Sequence, residues 1–460
     1  MKSRSAQLLL TGVFLLLACC SCDQVRDKLA ERRLAIAAQK YAKKDYAGAL
    51  EDYSDAIRLD PRSYRGFIGR GSCKYQLKNF VGAISDYDQA IALAPQDGTC
   101  FMSRGLAKLQ LRQLPAALAD LDRAVSLASW SAASYYARGH ARQMAKDPDG
   151  AMLDFNKAVE LEPQDPRAYV QRAYLESLQR QSDEALADAN KAVELGPRDY
   201  LAFLIRAGVK EHLRDYSAAL ADADRAVKLV PEEADGHAMR GSLRLDLNDL
   251  DGANEDLRSA LRLNSNSVST IYLSGRIKKK RGEFSGALED DAKAAKLSPM
   301  PSRIYYGMGC VQSDLSQYTQ ALQSFRNALD GDTNLDYAWF RVWLTRVRLG
   351  ERAEATGELA AHFEALRGPK TQDWTGSIYR FLAGRIPEEQ FLAQAKALVK
   401  HPTEEPGQIC ESCYYAGMKR LFDHDQAGAR ELFQKCLDTK EDNFAEFASA
   451  RAELAALKQP

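Results

Sequence analysis

Apolar positions along this chain fall at helical spacing in pairs of short segments, and the pair returns every 34 residues. In residues 64–95 (YRGFIGRGSCKYQLKNFVGAISDYDQAIALAP), bulky Phe67, Phe80, Tyr87 and Ile91 stand among small Gly71, Ala83 and Ala90. Intervals of three and four residues between such positions predict two amphipathic helices with a short break. One alanine recurs at 49, 83, 117, 151, 185, 219, 253, 287, 321 and 355, and a second at 56, 90, 124, 158, 192, 226, 260, 294 and 328. Prolines close the unit at 61, 95, 163, 197, 231 and 299, with serine at 129 and 265. Proline cannot continue a hydrogen-bonded turn, so these positions predict the end of each second helix. A fixed period near 34 with helix–turn–helix content predicts an all-α solenoid, with ten units between residues 30 and 369.

A small residue marks the first helix of each unit: Gly71, Gly105, Gly139, Gly241, Gly275 and Gly309, or Ala37, Ala173 and Ala207, with Trp343 breaking the series. Four residues earlier stands an aromatic in Phe67, Phe101, Tyr135, Tyr169, Phe203, Tyr305 and Trp339. Glycine in mid-helix costs about 1 kcal/mol against alanine, so its return implies close approach of a partner helix. This order of aromatic, small residue, alanine, aromatic, alanine and proline resembles the tetratricopeptide repeat. The resemblance covers about three quarters of the chain and implies a right-handed superhelical solenoid.

Two polar series keep the same period. Arginine stands at Arg70, Arg104, Arg138, Arg172, Arg206 and Arg240; aspartate stands at Asp86, Asp120, Asp154, Asp188, Asp222 and Asp256, with further members at 52 and 290. They form either a rail for an anionic ligand or pairs across the helix–helix seam, where a planar guanidinium suits a carboxylate. Their pairing over much the same units favours the seam.

The period lapses after residue 365. Gly368-Pro369 breaks the array, and residues 370–406 read as an irregular helical bridge with helices near 373–383 and 387–400. His401-Pro402 and Pro406-Gly407 mark a loop. In residues 407–460 the template returns with Gly417, Ala429 and Phe433, Cys436 taking the second alanine position, and a final amphipathic helix is expected over 443–457. A solenoid needs a terminal cap over its last core face, and this helix is the candidate. The stretch is similar to the C-terminal part of bacterial repeat lipoproteins of the new-lipoprotein-I type.

The N-terminus reads as a leader: Lys2 and Arg4, then an apolar run from Leu8 to Leu17. That run is shorter than the roughly 20 residues that span a bilayer and fits a secretory h-region. Leu16-Leu17-Ala18-Cys19 resembles a bacterial lipobox, which implies cleavage after residue 18, lipidation of Cys19 and a tether over 19–29. Cys20 and Cys22 are fallback acceptors, and an ordinary leader or an uncleaved anchor is the alternative. The residue after Cys19 is Cys20 rather than the Asp associated with inner-membrane retention, which points to the outer membrane, facing the periplasm or the cell surface. About ten tether residues reach roughly 35 Å at most, keeping the array near the membrane.

Charge and chemistry add exclusions. The chain carries 63 basic and 63 acidic residues, a balance unlike a nucleic-acid-binding surface. No phosphate-binding glycine loop, nucleophile elbow or H-E-x-x-H helix is present, and six dispersed histidines offer no ligand spacing. Neither metal nor cofactor is expected. Cys73, Cys100 and Cys310 are scattered; Cys410 and Cys413 form a C-x2-C pair read as packing, with a local disulfide or metal chemistry as alternatives. The Lys278-Lys279-Lys280-Arg281 run is a solvated helix end or an anion contact.

Arrays of the family usually bind peptides or partner helices on a concave face built from first helices. Carried over, that face holds Ile68, Tyr75, Met102, Leu109, Tyr136, Val170, Tyr174, Leu204, Tyr272, Tyr306 and Phe340. The expected function is a lipid-anchored envelope scaffold with protein or peptide partners and no catalysis. The alternative is a carbohydrate-binding or hydrolytic protein with an acid/base pair in the groove.

Overall fold

The computed structural model describes residues 25–179, 181–298, 301–332, 335–366, 372–399, 405–441 and 444–457. The leader, Cys19, Cys20 and Cys22, Pro299, Gly368-Pro369, His401-Pro402 and Asn443 lie outside them. Among the described residues every regular element is a helix. The chain divides into two compact units, residues 1–205 and 206–460. Their boundary lies inside helix Tyr200–His212, where the sequence period continues without a mark.

The 34-residue rhythm sets the helices. In the first unit, A helices Tyr64–Gln76, Gly98–Gln110, Ala132–Met144 and Pro166–Leu178 alternate with B helices Phe80–Leu93, Leu114–Leu127, Pro148–Leu161 and Ser182–Leu195. They are preceded by the pair 25–42 and Tyr46–Leu59. In the second, A helices Ala234–Asp246, Val268–Lys280, Ser302–Asp314 and Asp336–Arg348 alternate with Leu250–Asn264, Phe284–Leu297, Tyr318–Gly331 and Arg352–Ala365, after the B helix Tyr216–Leu229. The first helix already runs at residue 25, so five residues expected in the tether are helical.

Local chemistry explains both ends of each B helix. The residue before its N-cap lies in the left-handed region at Lys44, Lys78, Arg112, Lys146, Arg214, Asn248, Gly282, Ser316 and Gly350, which ends the A helix and reverses the chain. Asp45, Asn79, Asp147 and Asp249 then accept a hydrogen bond from the backbone N–H three residues on, satisfying a donor that the helix leaves open. B helices stop two residues before Pro61, Pro95, Pro163, Pro197 and Pro231. Where serine stands at 265, the helix runs one residue further, to Asn264.

Beyond the array come helices Trp374–Leu382, Glu388–Ala397, Glu405–Phe422, Gln426–Asp438 and Ala445–Ala456. Pro406-Gly407 is not a loop: it lies in the first turn of Glu405–Phe422, where proline lacks only an N–H that would have no helical partner. Gly407 is there for contact, since a Cβ would lie 2.3 Å from the Phe444 ring. The final helix does more than cap the end. It packs on Gln426–Asp438, on Glu405–Phe422 and on the A helix Ser302–Asp314.

Candidate partner-binding face

The ladder is a seam. Each arginine grips the aspartate sixteen residues on, through two guanidinium nitrogens: Arg70–Asp86 at 3.0 and 2.6 Å, Arg104–Asp120 at 2.9 and 2.6 Å, Arg138–Asp154 at 2.9 and 2.6 Å. Arg172–Asp188, Arg206–Asp222 and Arg240–Asp256 repeat the geometry. Asp86, Asp120 and Asp154 are buried, so the arginines' charge is spent inside the fold, and a free anionic rail is excluded for them.

Two further partners escaped the sequence reading. A second cation one turn along the A helix reaches the same carboxylate: Lys74–Asp86 at 2.8 Å, Lys108–Asp120 at 2.7 Å, Arg142–Asp154 at 2.9 Å, Lys210–Asp222 at 2.7 Å and Arg244–Asp256 at 2.8 Å. Its 34-residue recurrence was the available signal. The arginines also bridge backwards to the previous repeat, Arg104 to Asp88 at 2.6 Å and Arg138 to Asp122 at 3.0 Å.

One slot is inverted. At 176 the second cation is replaced by Glu176, which is buried beside Asp188. Burial, reinforced by the Asp188 charge and opposed by Arg172, pushes the Glu176 carboxyl up to about 7.

The groove positions separate into two groups. Ile68, Tyr75, Met102, Tyr136, Tyr174 and Leu204 of the first unit are half-buried on their A helices, as is Tyr272 in the second. Leu109, Val170 and Phe340 are corrected: all three are core, exposed by 4%, 4% and 0%. Leu109 packs with Leu121 and Ala137, Val170 with Ala192 and Ala202, and Phe340 against Tyr379 and Tyr415. Contact with the next repeat takes Leu109 and Val170, and helices beyond the array take Phe340, which spacing within one helix could not reveal.

Amide and phenol groups sit among the first-unit positions. Tyr41 accepts from Gln76 at 3.4 Å. The Arg167 guanidinium lies 5.3 Å from the Tyr136 ring. Such a surface offers apolar contact for side chains and amides for a peptide backbone.

In repeats nine and ten the same face is covered by the chain's own C-terminal helices. Arg341, 1% exposed, donates to Tyr414 Oη at 2.9 Å, Ser449 Oγ at 3.0 Å and Glu446 Oε1 at 3.1 Å. Ser449 donates to Asp314 at 2.6 Å, Tyr415 to Glu446 at 3.0 Å, and Tyr337 and Trp374 to Glu411. Arg214 pairs with Glu441 at 2.8 Å and stacks 3.8 Å from the Phe444 ring. Tyr306 is half-buried on the A helix Ser302–Asp314, against which the final helix packs, and burial pushes its hydroxyl well above the usual range. Burial likewise raises the Glu411 carboxyl. These are packing carboxylates beneath a cover.

Lys278 and Lys279 pair with Asp290 and Asp291 at 2.7 and 2.5 Å. His237, in an aromatic position, bonds the Pro231 carbonyl at 3.0 Å, as Tyr169 does that of Pro163 at 3.3 Å. Among the described residues no three His, Cys, Asp or Glu gather as metal ligands, and no helix is long and apolar enough to cross a membrane.

Comparison with known proteins agrees with the period. Residues 34–98 and 171–237 match one tetratricopeptide repeat model, and 132–165 match a second. A tetratricopeptide repeat protein from Parabacteroides merdae is similar in structure at 20% identity and a TM-score of 0.44, over 54% of this chain and 99% of that one. Yeast Tom70 is similar over 82% of this chain and 100% of its own, at 14% identity and a TM-score of 0.40. YrrB, described as a repeat protein with an unusual peptide-binding site, shares 20% identity over 41% of this chain and 97% of its own, with a TM-score of 0.33. No curated protein matches significantly.

Proposed function

Because this chain belongs to the tetratricopeptide repeat superfamily, we propose that it is a non-enzymatic scaffold whose first unit binds protein or peptide partners on its A-helix face. One contrast carries the reading. Ile68, Met102, Tyr136 and Leu204 are half-buried beside Gln76 and Gln110, whereas the equivalent face of repeats nine and ten packs against the chain's own C-terminal helices. Aromatic anchors in shallow sites supply most of the affinity in such contacts. Leu16-Leu17-Ala18-Cys19 supports a lipid on Cys19 and attachment to a bacterial outer membrane, which makes envelope proteins the partners.

Affinity capture from bacterial membranes tests the binding reading. Met102→Glu with Tyr136→Ala should lose the proteins held by the wild type while keeping its helical content and melting temperature. A folded double variant that retains them overturns it. Mass spectrometry of the N-terminal peptide tests the anchor independently: an acylated Cys19 supports it, and an unmodified start elsewhere removes it.

A further inference from the structure

The helix pair Glu405–Phe422 and Gln426–Asp438 brings two thiols together that the sequence keeps 26 residues apart. Cys410 Sγ lies 3.0 Å from Cys436 Sγ, and both residues are fully buried. That separation is within about 1 Å of the ~2.05 Å disulfide bond, so small side-chain rotations close it. The C-x2-C partner, Cys413, is less suitable. It shares a helix with Cys410, where residues three apart hold their Cβ atoms about 5–6 Å from one another, beyond the ~3.5–4.5 Å of a disulfide. Cys436 also stands where nine array repeats carry alanine, so packing alone does not call for sulfur there. Cys73, Cys100 and Cys310 lie on three other repeats.

We infer that Cys410 and Cys436 are the site of an intrachain disulfide that staples the C-terminal helix pair. The oxidant is a disulfide donor. One protein thiolate attacks a donor sulfur and releases a donor thiol; the second then displaces the remaining donor sulfur from the mixed disulfide. Two protein thiols become one disulfide, and their two protons end on the two donor sulfurs, so the donor disulfide becomes two thiols. The Cys410 contact and burial hold the Cys436 thiol protonated, so exchange belongs to folding or to opening of the pair. The bond would fix the cover over repeats nine and ten, since this helix pair carries Glu411, Tyr414 and Tyr415 and the Cys436 sulfur lies 3.9 Å from the Glu446 carbonyl. The inference stands apart from partner binding and from the anchor.

The full chain, unfolded and reduced, is refolded in oxidised and reduced glutathione, alkylated and digested without reduction. A peptide joining Cys410 to Cys436 is expected, with Cys73, Cys100 and Cys310 alkylated. Protein kept native throughout and dialysed into the same buffer supplies a second reading, and its melting temperature should rise by several degrees, an increase lost on reduction and in Cys436→Ala. A Cys410–Cys413 link, or full alkylation of both Cys410 and Cys436 in protein that has regained its helical content, overturns the inference.

Discussion

Gly139 and Phe155 touch so closely that a Cβ on the glycine would lie 2.7 Å from the ring. The same relation joins Gly71 to Tyr87, Gly309 to Phe325 and Gly417 to Phe433, at 2.7, 2.6 and 2.7 Å. Where the B-helix position shrinks to Ala189 or Ala223, the A-helix residue is Ala173 or Ala207. In these pairs the small residue matches its neighbour's volume, whereas Ala37 opposite Tyr53 and Trp343 opposite Leu359 do not follow the rule. Gly139→Ala should destabilise the protein by about 1–3 kcal/mol despite alanine's better helix propensity. Gly357, exposed in mid-helix with nothing within 4 Å of an added Cβ, should gain about 1 kcal/mol as alanine. Urea melts of the two variants give opposite signs if this account holds.

The ladder predicts an asymmetry. Asp120→Ala strands Lys108 and leaves Arg104 only its exposed partner Asp88. It should cost about 2–4 kcal/mol, because an unpaired, partly desolvated charge is worse than none. Asp122→Ala removes only the exposed end of the Arg138 bridge and should cost about 0–1 kcal/mol. Equal urea midpoints for the two variants would contradict the assignment.

Glu176 supplies a pH signature. Its carboxyl, raised from 4.5 to about 7, holds a proton in the folded chain that the unfolded chain releases. Its contribution is therefore present below about pH 4.5 and is lost as pH rises through 7. Glu176→Lys restores the cation that other repeats carry and should raise the melting temperature, more at pH 8 than at pH 5. Glu176→Gln should flatten the dependence between those values. A variant gain that is the same at both pH values refutes the buried, protonated glutamate.

The cover predicts a truncation phenotype. Ending the chain at Lys440 removes Glu446 and Ser449 and leaves Arg341, Asp314 and Tyr306 uncovered. Binding of an apolar dye should rise, and amide exchange should quicken in Ser302–Asp314 while Gly98–Gln110 stays unchanged. Unaltered exchange in Ser302–Asp314 would mean that the final helix does not protect that face.

How much of this was legible follows the range of each interaction. Helix positions, the Gly139-type seams and the Arg104–Asp120 pairs lie within one 34-residue unit, and a strict period exposes them. Leu109 and Val170 were misplaced because burial by the next repeat is not written in one helix's spacing, and Phe340 because the helices that bury it lie beyond the array. The Arg341–Glu446 contact was missed because it joins the array to a segment beyond it, and the Cys410–Cys436 contact because no other unit repeats that pair of cysteines. The backward bridge from Arg104 to Asp88 needed the stacking of successive repeats before it could be seen.

The proposed binding face is tested most directly by photo-crosslinking. A benzophenone side chain placed at Met102, at Tyr306 or at Val81, which is exposed on a B helix, is irradiated in a bacterial membrane extract. The account predicts protein adducts from Met102 and none above background from Tyr306 or Val81. Adducts from Val81 or Tyr306 with none from Met102 would contradict it.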